Sequence, residues 1–61
     1  MKRQALIKHL KEHDCVLIRE GSQHSWWGNP AKNTRTAVPR HTEIDNQLAK
    51  KICKDLGVAN P

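Results

Sequence analysis

Four histidines, His9, His13, His24 and His41, are the side chains in this sequence best suited to moving a proton near neutral pH. His9-Leu10-Lys11-Glu12-His13 matches H-x-x-E-H, the inverted zinc-protease pattern. Spacing of four puts both rings on one helical face. A catalytic zinc takes three protein ligands, and no third is spaced to join them, so the pair reads as the polar end of a helix. His24 follows Gly21-Ser22-Gln23 at the start of a β-prone run. From spacing alone it is either a surface strand histidine or an acid–base group. His41 follows Val38-Pro39-Arg40 in the approach to the last helix, where it either binds phosphate or fixes its loop by hydrogen bonding.

The second chemical resource is positive charge. Lys2, Arg3, Arg19, Lys32, Arg35, Arg40, Lys50, Lys51 and Lys54 spread over every element, with a local cluster from Arg35 to His41. Such a field favours phosphate and makes affinity salt-sensitive, and it also serves plain solubility. Trp26 and Trp27 are the only aromatic residues. Alternation places His24 and Trp26 on one strand face and Gln23, Ser25 and Trp27 on the other. One tryptophan therefore packs inward, and the other is placed to stack on a base.

These residues need elements to hold them. Leu6, Ile7 and Leu10 follow helical spacing and predict a helix over 3–13 without a good N-cap, with Asp14 in the turn that ends it. Cys15-Val16-Leu17-Ile18 is a short β-branched run that reads as a strand reaching Arg19 or Glu20. Gly21-Ser22 is a turn signal. Gln23 to Trp27 reads as a second strand, 28–33 as a loop and Thr34 to Val38 as a third strand stopped by Pro39. Short connections favour antiparallel pairing. Ile44, Leu48, Ile52 and Leu56 recur every four residues and predict an amphipathic helix, capped by Asp45 and closed by Gly57. The expected fold is a single α+β domain over 1–61, ordered α-β-β-β-α. Its three-stranded antiparallel sheet carries two helices on one face, the layout of double-stranded-RNA-binding domains.

Composition limits what such a domain can do. The chain has 61 residues, 11 Lys and Arg against 6 Asp and Glu, and a formal charge of +5. Its mean hydropathy is -0.81. Apolar burial worth roughly 90 kcal/mol faces an ordering entropy of about the same size, so the fold is marginal and leaves no room for a large buried active site. No apolar run approaches the ~18 residues of a membrane helix. The basic start is not followed by an apolar stretch, so the expectation is a cytoplasmic protein without a secretory signal. Cys15 and Cys53 are too few for a disulfide scaffold and are expected to be reduced, buried, small hydrophobes.

Five segments together carry a resemblance: Leu6-Ile7-Lys8 with Leu10, Val16-Leu17-Ile18-Arg19, Gly21-Ser22-Gln23-His24, Val38-Pro39-Arg40-His41, and a last helix ending Lys54-Asp55-Leu56-Gly57. In this order and spacing the chain resembles, over nearly its whole length, the HicA family of bacterial toxins from type II toxin–antitoxin systems. The resemblance implies a ribosome-independent mRNA endonuclease neutralised by a HicB antitoxin. It implies that the catalytic histidine, which follows a Gly-Ser pair on the second strand, is His24. Many members carry adjacent histidines there, whereas this chain has Gln23 before His24. Around that residue the candidate RNA contacts are Arg19, Ser22, Lys32, Arg35, Arg40 and His41. No metal, cofactor, small-molecule ligand or membrane is expected, and the free toxin is expected to be a monomer. Two other readings use the same fold and charge: a non-catalytic RNA-binding module, and a degenerate toxin retained as an antitoxin-binding partner.

Overall fold

The computed structural model describes residues 1–61. Helix α1 spans Arg3–Glu12, strands β1, β2 and β3 span Val16–Glu20, His24–Asn29 and Thr34–Pro39, and helix α2 spans Asn46–Leu56. The strands lie in the order β1-β2-β3, and both pairings are antiparallel. Leu6 and Leu10 of α1 meet Ile52, Cys53 and Leu56 of α2 over Trp27 and Val38 of the sheet, and all belong to one core. The α+β order and the layering expected from the sequence are therefore present. The folded chain exposes 4183 Å², against roughly 10,000 Å² for an extended chain of this mass.

Both helices end by mechanisms written in their residues. Asp45 accepts from the backbone amides of Gln47 and Leu48 and caps α2. Gly57 closes that helix at φ 73°, a left-handed conformation open to glycine at little cost, and the Val58 amide reaches back to the Cys53 carbonyl at 2.9 Å. α1 has no side-chain cap. Its start is held instead by the segment before α2: the Arg3 amide donates to the Thr42 carbonyl at 2.8 Å and the Ile44 amide to the Met1 carbonyl at 2.8 Å. Lys2 Nζ lies 2.7 Å from Glu43 Oε1, and the hydrogen bond from Lys2 holds the Glu43 carboxyl below its usual range. That support is present above the ordinary carboxylate pKa and fades as pH falls through the lowered one.

The element boundaries differ from the sequence expectation in five places, each with a physical reason. α1 stops at Glu12 rather than His13, because the chain turns at Asp14 with φ 65°, a conformation that Asp tolerates better than most residues. Cys15 precedes β1 instead of opening it, since its amide donates to the Leu10 carbonyl at 2.9 Å and is spent on closing the helix. β2 begins at His24 rather than Gln23, because the Gly21 amide donates to the His24 carbonyl at 2.7 Å and closes the β1–β2 turn. β2 continues through Gly28 and Asn29, which the turn signal Gly-Asn-Pro had assigned to a loop. Asn29 is 4% exposed, and its Nδ2 donates to the Leu56 carbonyl at 2.8 Å, so this polar residue ties the sheet to the end of α2. β3 takes in Pro39, paired with His24, as an edge strand permits.

Cys15 and Cys53 are free and buried. Burial pushes both thiols up, aided by Asp14 at Cys15 and by Cys15 at Cys53. Both therefore stay protonated near neutral pH and pack as small apolar groups.

Candidate RNA-binding face and catalytic histidine

The central strand sets the site. Along β2, Ser25, Trp27 and Asn29 turn toward the helices and are buried, while His24 is exposed and Trp26 half-buried on the opposite face. The strand rise puts successive residues of one face about 7 Å apart, so His24 stands next to Trp26. The register then places Arg19 of β1 beside Trp26, and Arg35 of β3 beside Gly28. Arg19, Trp26 and Arg35 thus come together on the open side of the sheet although they are far apart in sequence.

Two depressions run along this face. One, of about 520 Å³, is lined by Ile18, Arg19, Trp26 and Arg35. The other, of about 400 Å³, is lined by residues of the Arg19–His24 turn and by Trp26. They share Arg19 and Trp26, and so form one open groove with guanidinium groups on its flanks, an indole in its floor and His24 and Ser22 at one end. Neither arginine is taken up by an ion pair within the chain. Glu20 lines the second depression, but its carboxylate is engaged by Ser25 Oγ and lies 3.5 Å from Arg40 Nη1. Around Arg19, Trp26 and Arg35 the groove therefore presents cations without an ion-pair partner beside an apolar, stackable surface.

Beneath His24 lies a polar network. Arg3 donates from Nε to the Pro39 carbonyl at 2.8 Å and from Nη2 to Ser25 Oγ at 2.8 Å. Ser25 Oγ donates to Glu20 Oε1. Arg40 Nη1 lies 3.5 Å from Glu20 Oε2 and donates to the Gly21 carbonyl at 3.2 Å. The residues so engaged are the one after His24, its cross-strand partner, and Glu20 and Gly21 at the start of the turn before it. Ser25 is fully buried, so this is a fixed mount for an exposed histidine.

Gly21 belongs to that mount for a steric reason. A Cβ at position 21 would sit 2.8 Å from the His24 carbonyl oxygen, a backbone atom that cannot move without moving His24. Gly21→Ala is expected to keep the fold, as read by circular dichroism, while shifting His24. A displacement of about 1 Å at a reacting group can lower a rate ~10²-fold, the loss expected in RNA cleavage on the reading proposed below.

The other residues singled out in the sequence are placed as follows. Arg40 holds the turn through Glu20 and Gly21, so it borders the site from behind. Lys32 lies at the far end of the sheet, where its Nζ donates to the Gly57 carbonyl at the end of α2. His41 is exposed in the β3–α2 connection. His9 and His13 stack with ring centroids 4.3 Å apart. His9 Nε2 donates to the Ala59 carbonyl and His13 Nδ1 to the His9 carbonyl, so both rings serve the helix end and the tail packed on it. Reasoning from the sequence missed Arg3, Glu20 and Ser25. Only Ser25 carried a hint, a small polar residue on the inward face of a strand.

Fold and site together define a small α+β domain presenting a firmly mounted histidine at the end of a cationic, tryptophan-floored groove. The family model described as HicA toxin of bacterial toxin-antitoxin matches residues 3–58. The chain belongs to this family: it is a toxin-type domain whose family implies an antitoxin partner. No curated protein and no solved structure matches it.

Proposed function

We propose that this chain is a ribosome-independent mRNA endonuclease of the cytoplasm, with His24 as general base, neutralised by a HicB antitoxin. The observation that carries the reading is the placement of His24: exposed, mounted from below, and next to the one open groove where Arg19, Trp26 and Arg35 converge.

RNA brings its own nucleophile. A neutral His24 imidazole accepts the proton of a 2′-hydroxyl as that oxygen attacks the adjacent phosphorus. The P–O5′ bond breaks, leaving a 2′,3′-cyclic phosphate on one fragment and a 5′-hydroxyl on the other, with the leaving oxygen taking its proton from water at this open site. Arg19 and Arg35 hold the phosphate backbone and offset the charge that builds on the phosphorane. Ser22, at the same end as His24, adds a hydroxyl to the phosphate contacts, and Arg40 and His41 extend the phosphate-binding side from the neighbouring connection. Because the 2′-hydroxyl is the nucleophile, the scheme calls for no metal-activated water.

The deciding experiment is a gel of purified RNA incubated with the chain in EDTA, with end-group analysis of the fragments. Cyclic phosphate and 5′-hydroxyl ends, abolished with His24→Ala, support the reading. RNA left intact at several pH values removes the nuclease and leaves the binding module or the retained partner.

The groove also predicts how RNA is held. Trp26→Ala is expected to weaken binding of single-stranded RNA by about 1–3 kcal/mol, the worth of one stacked base. Two phosphate contacts give a slope of log K against log salt near −1.4, from about −0.7 per contact on a single strand. Fluorescence anisotropy over a salt series measures both. Arg35→Ala should roughly halve the slope, whereas Trp26→Ala should leave it unchanged.

A further inference from the structure

The edge strand β1 carries a feature that the RNA groove does not use. Val16, Leu17 and Ile18 are 47%, 48% and 52% exposed, three aliphatic residues in a row. β1 pairs only with β2 and forms one edge of the sheet. The other edge, β3, lies against α2 and ends in Pro39. Edges in self-sufficient domains are blunted by charge, proline, bulges or cover; residues 16–18 carry no charge, proline or cover, and only a bulge at Ile18 interrupts them.

The three side chains wrap around the edge. Val16 shares the open face with Gly28 and Arg35, while Leu17 pairs with Trp27 and faces the helix side. Ile18 is the extra residue of a bulge between Leu17 and Arg19. Its Cδ1 covers Gly28 so closely that a Cβ there would lie 2.6 Å away, and it forms one wall of the groove with Arg19, Trp26 and Arg35. The bulge interrupts a regular ladder, so an occupant is recognised mainly through side chains. It meets an apolar ridge with two guanidinium groups on one flank.

Charge selects among occupants. A second copy would bring another chain of net charge +5 against this edge and set its arginines near Arg19 and Arg35, a like-charge contact that opposes association. A protein carrying carboxylates around an apolar centre meets neither penalty. We infer that the β1 edge is the docking site of the antitoxin, which packs apolar side chains around Val16, Leu17 and Ile18 and directs carboxylates to Arg19 and Arg35. This rests on the toxin–antitoxin reading and adds to it a location and a mode of inhibition. The antitoxin takes the two arginines that RNA needs, so neutralisation is competition for the groove, with no change of toxin conformation required.

Leu17 separates the two ligands, since it lies on the side of the sheet away from Trp26 and Arg35. The test measures the affinity of a co-purified HicB antitoxin for the parent chain and for Leu17→Ser, Val16→Ser and Arg35→Ala by calorimetry, with RNA cleavage measured on the same samples. Leu17→Ser is expected to weaken the complex at least tenfold, as loss of an apolar anchor does, and to leave cleavage within about twofold. Arg35→Ala is expected to weaken both. Val16→Ser repeats the first comparison at a second half-exposed position, where little of the fold is at stake. Undiminished antitoxin affinity in both serine variants overturns the docking site while the toxin–antitoxin reading stands. Failure of the parent chain to bind the antitoxin overturns both. Sedimentation showing a dimer of the chain alone, lost with Leu17→Ser, assigns the edge to a second copy and also overturns the inference.

Discussion

Replacing His24 by alanine is expected to slow RNA cleavage by about 10²–10⁴-fold, the usual contribution of a positioned general base, while stability stays within roughly 0.5 kcal/mol of the parent. The two halves of that expectation have separate grounds. The loss follows from the chemistry: with no imidazole, the 2′-hydroxyl must give its proton to water, and the arginines retain only their share of charge stabilisation. The intact fold follows from geometry, because the His24 side chain is exposed and the polar contacts beneath it are made by Arg3, Glu20, Ser25 and Arg40. RNA affinity should fall far less than rate, since Arg19, Trp26 and Arg35 are untouched. Single-turnover cleavage with saturating protein separates the two quantities. Gln23→Ala is the control. Gln23 lies in the turn before β2 and lines the same depression as His24, but its amide takes no proton near neutral pH, and its removal should leave the rate nearly unchanged. A rate that collapses with Gln23→Ala and survives His24→Ala would place the chemistry one residue earlier and end the His24 assignment.

The contrast between what was and was not legible in the sequence follows the range of the interactions. His24 and Trp26 were assigned to one face, and Trp27 to the other, from the two-residue period of a strand alone, and Trp27 is 4% exposed in the core. Asp45 and Gly57 were equally plain, since a cap is a local event between a side chain and amides two and three residues away. The mount under His24 was not legible. It joins residues 3, 20, 25, 39 and 40, and nothing in the local pattern of any one of them reports the others. Asn29 was misread for a related reason: Gly-Asn-Pro is a strong turn signal, and only the packing of α2 gives Asn29 a buried carbonyl to bond. Lys32 belonged to the basic inventory, and the fold sends it to the end of α2. Charge counts can thus predict a phosphate-binding surface, but strand register decides which cations share it.

The largest expected effect on folding is at Leu10. It is fully buried in α1 within the single core, and truncating such a leucine to alanine removes about 2–5 kcal/mol. A domain of 61 residues has roughly 3–9 kcal/mol in total at 0.05–0.15 kcal/mol per residue, so Leu10→Ala takes from a quarter of the stability to all of it. Urea unfolding followed by circular dichroism should show the midpoint lowered or the baseline lost. The exposed change Lys50→Ala should stay within about 0.5 kcal/mol. Function then follows by mass action. Cleavage by Leu10→Ala should fall in proportion to the folded fraction, with the pH profile of the remaining activity unchanged, because Leu10 lies in the core and His24 is exposed on the opposite face of the sheet. An antitoxin that binds only the folded toxin adds about 2.7 kcal/mol at a free concentration of 100 Kd, enough to restore most of the helix signal of a variant near its midpoint. Leu17→Ser separates stability from docking in the same assay. It should be folded alone yet gain little from the antitoxin, whereas Leu10→Ala should be poorly folded alone and gain much. Equal rescue of the two would mean that the antitoxin grips some other surface, and the exposure of Val16, Leu17 and Ile18 would then need a different cause.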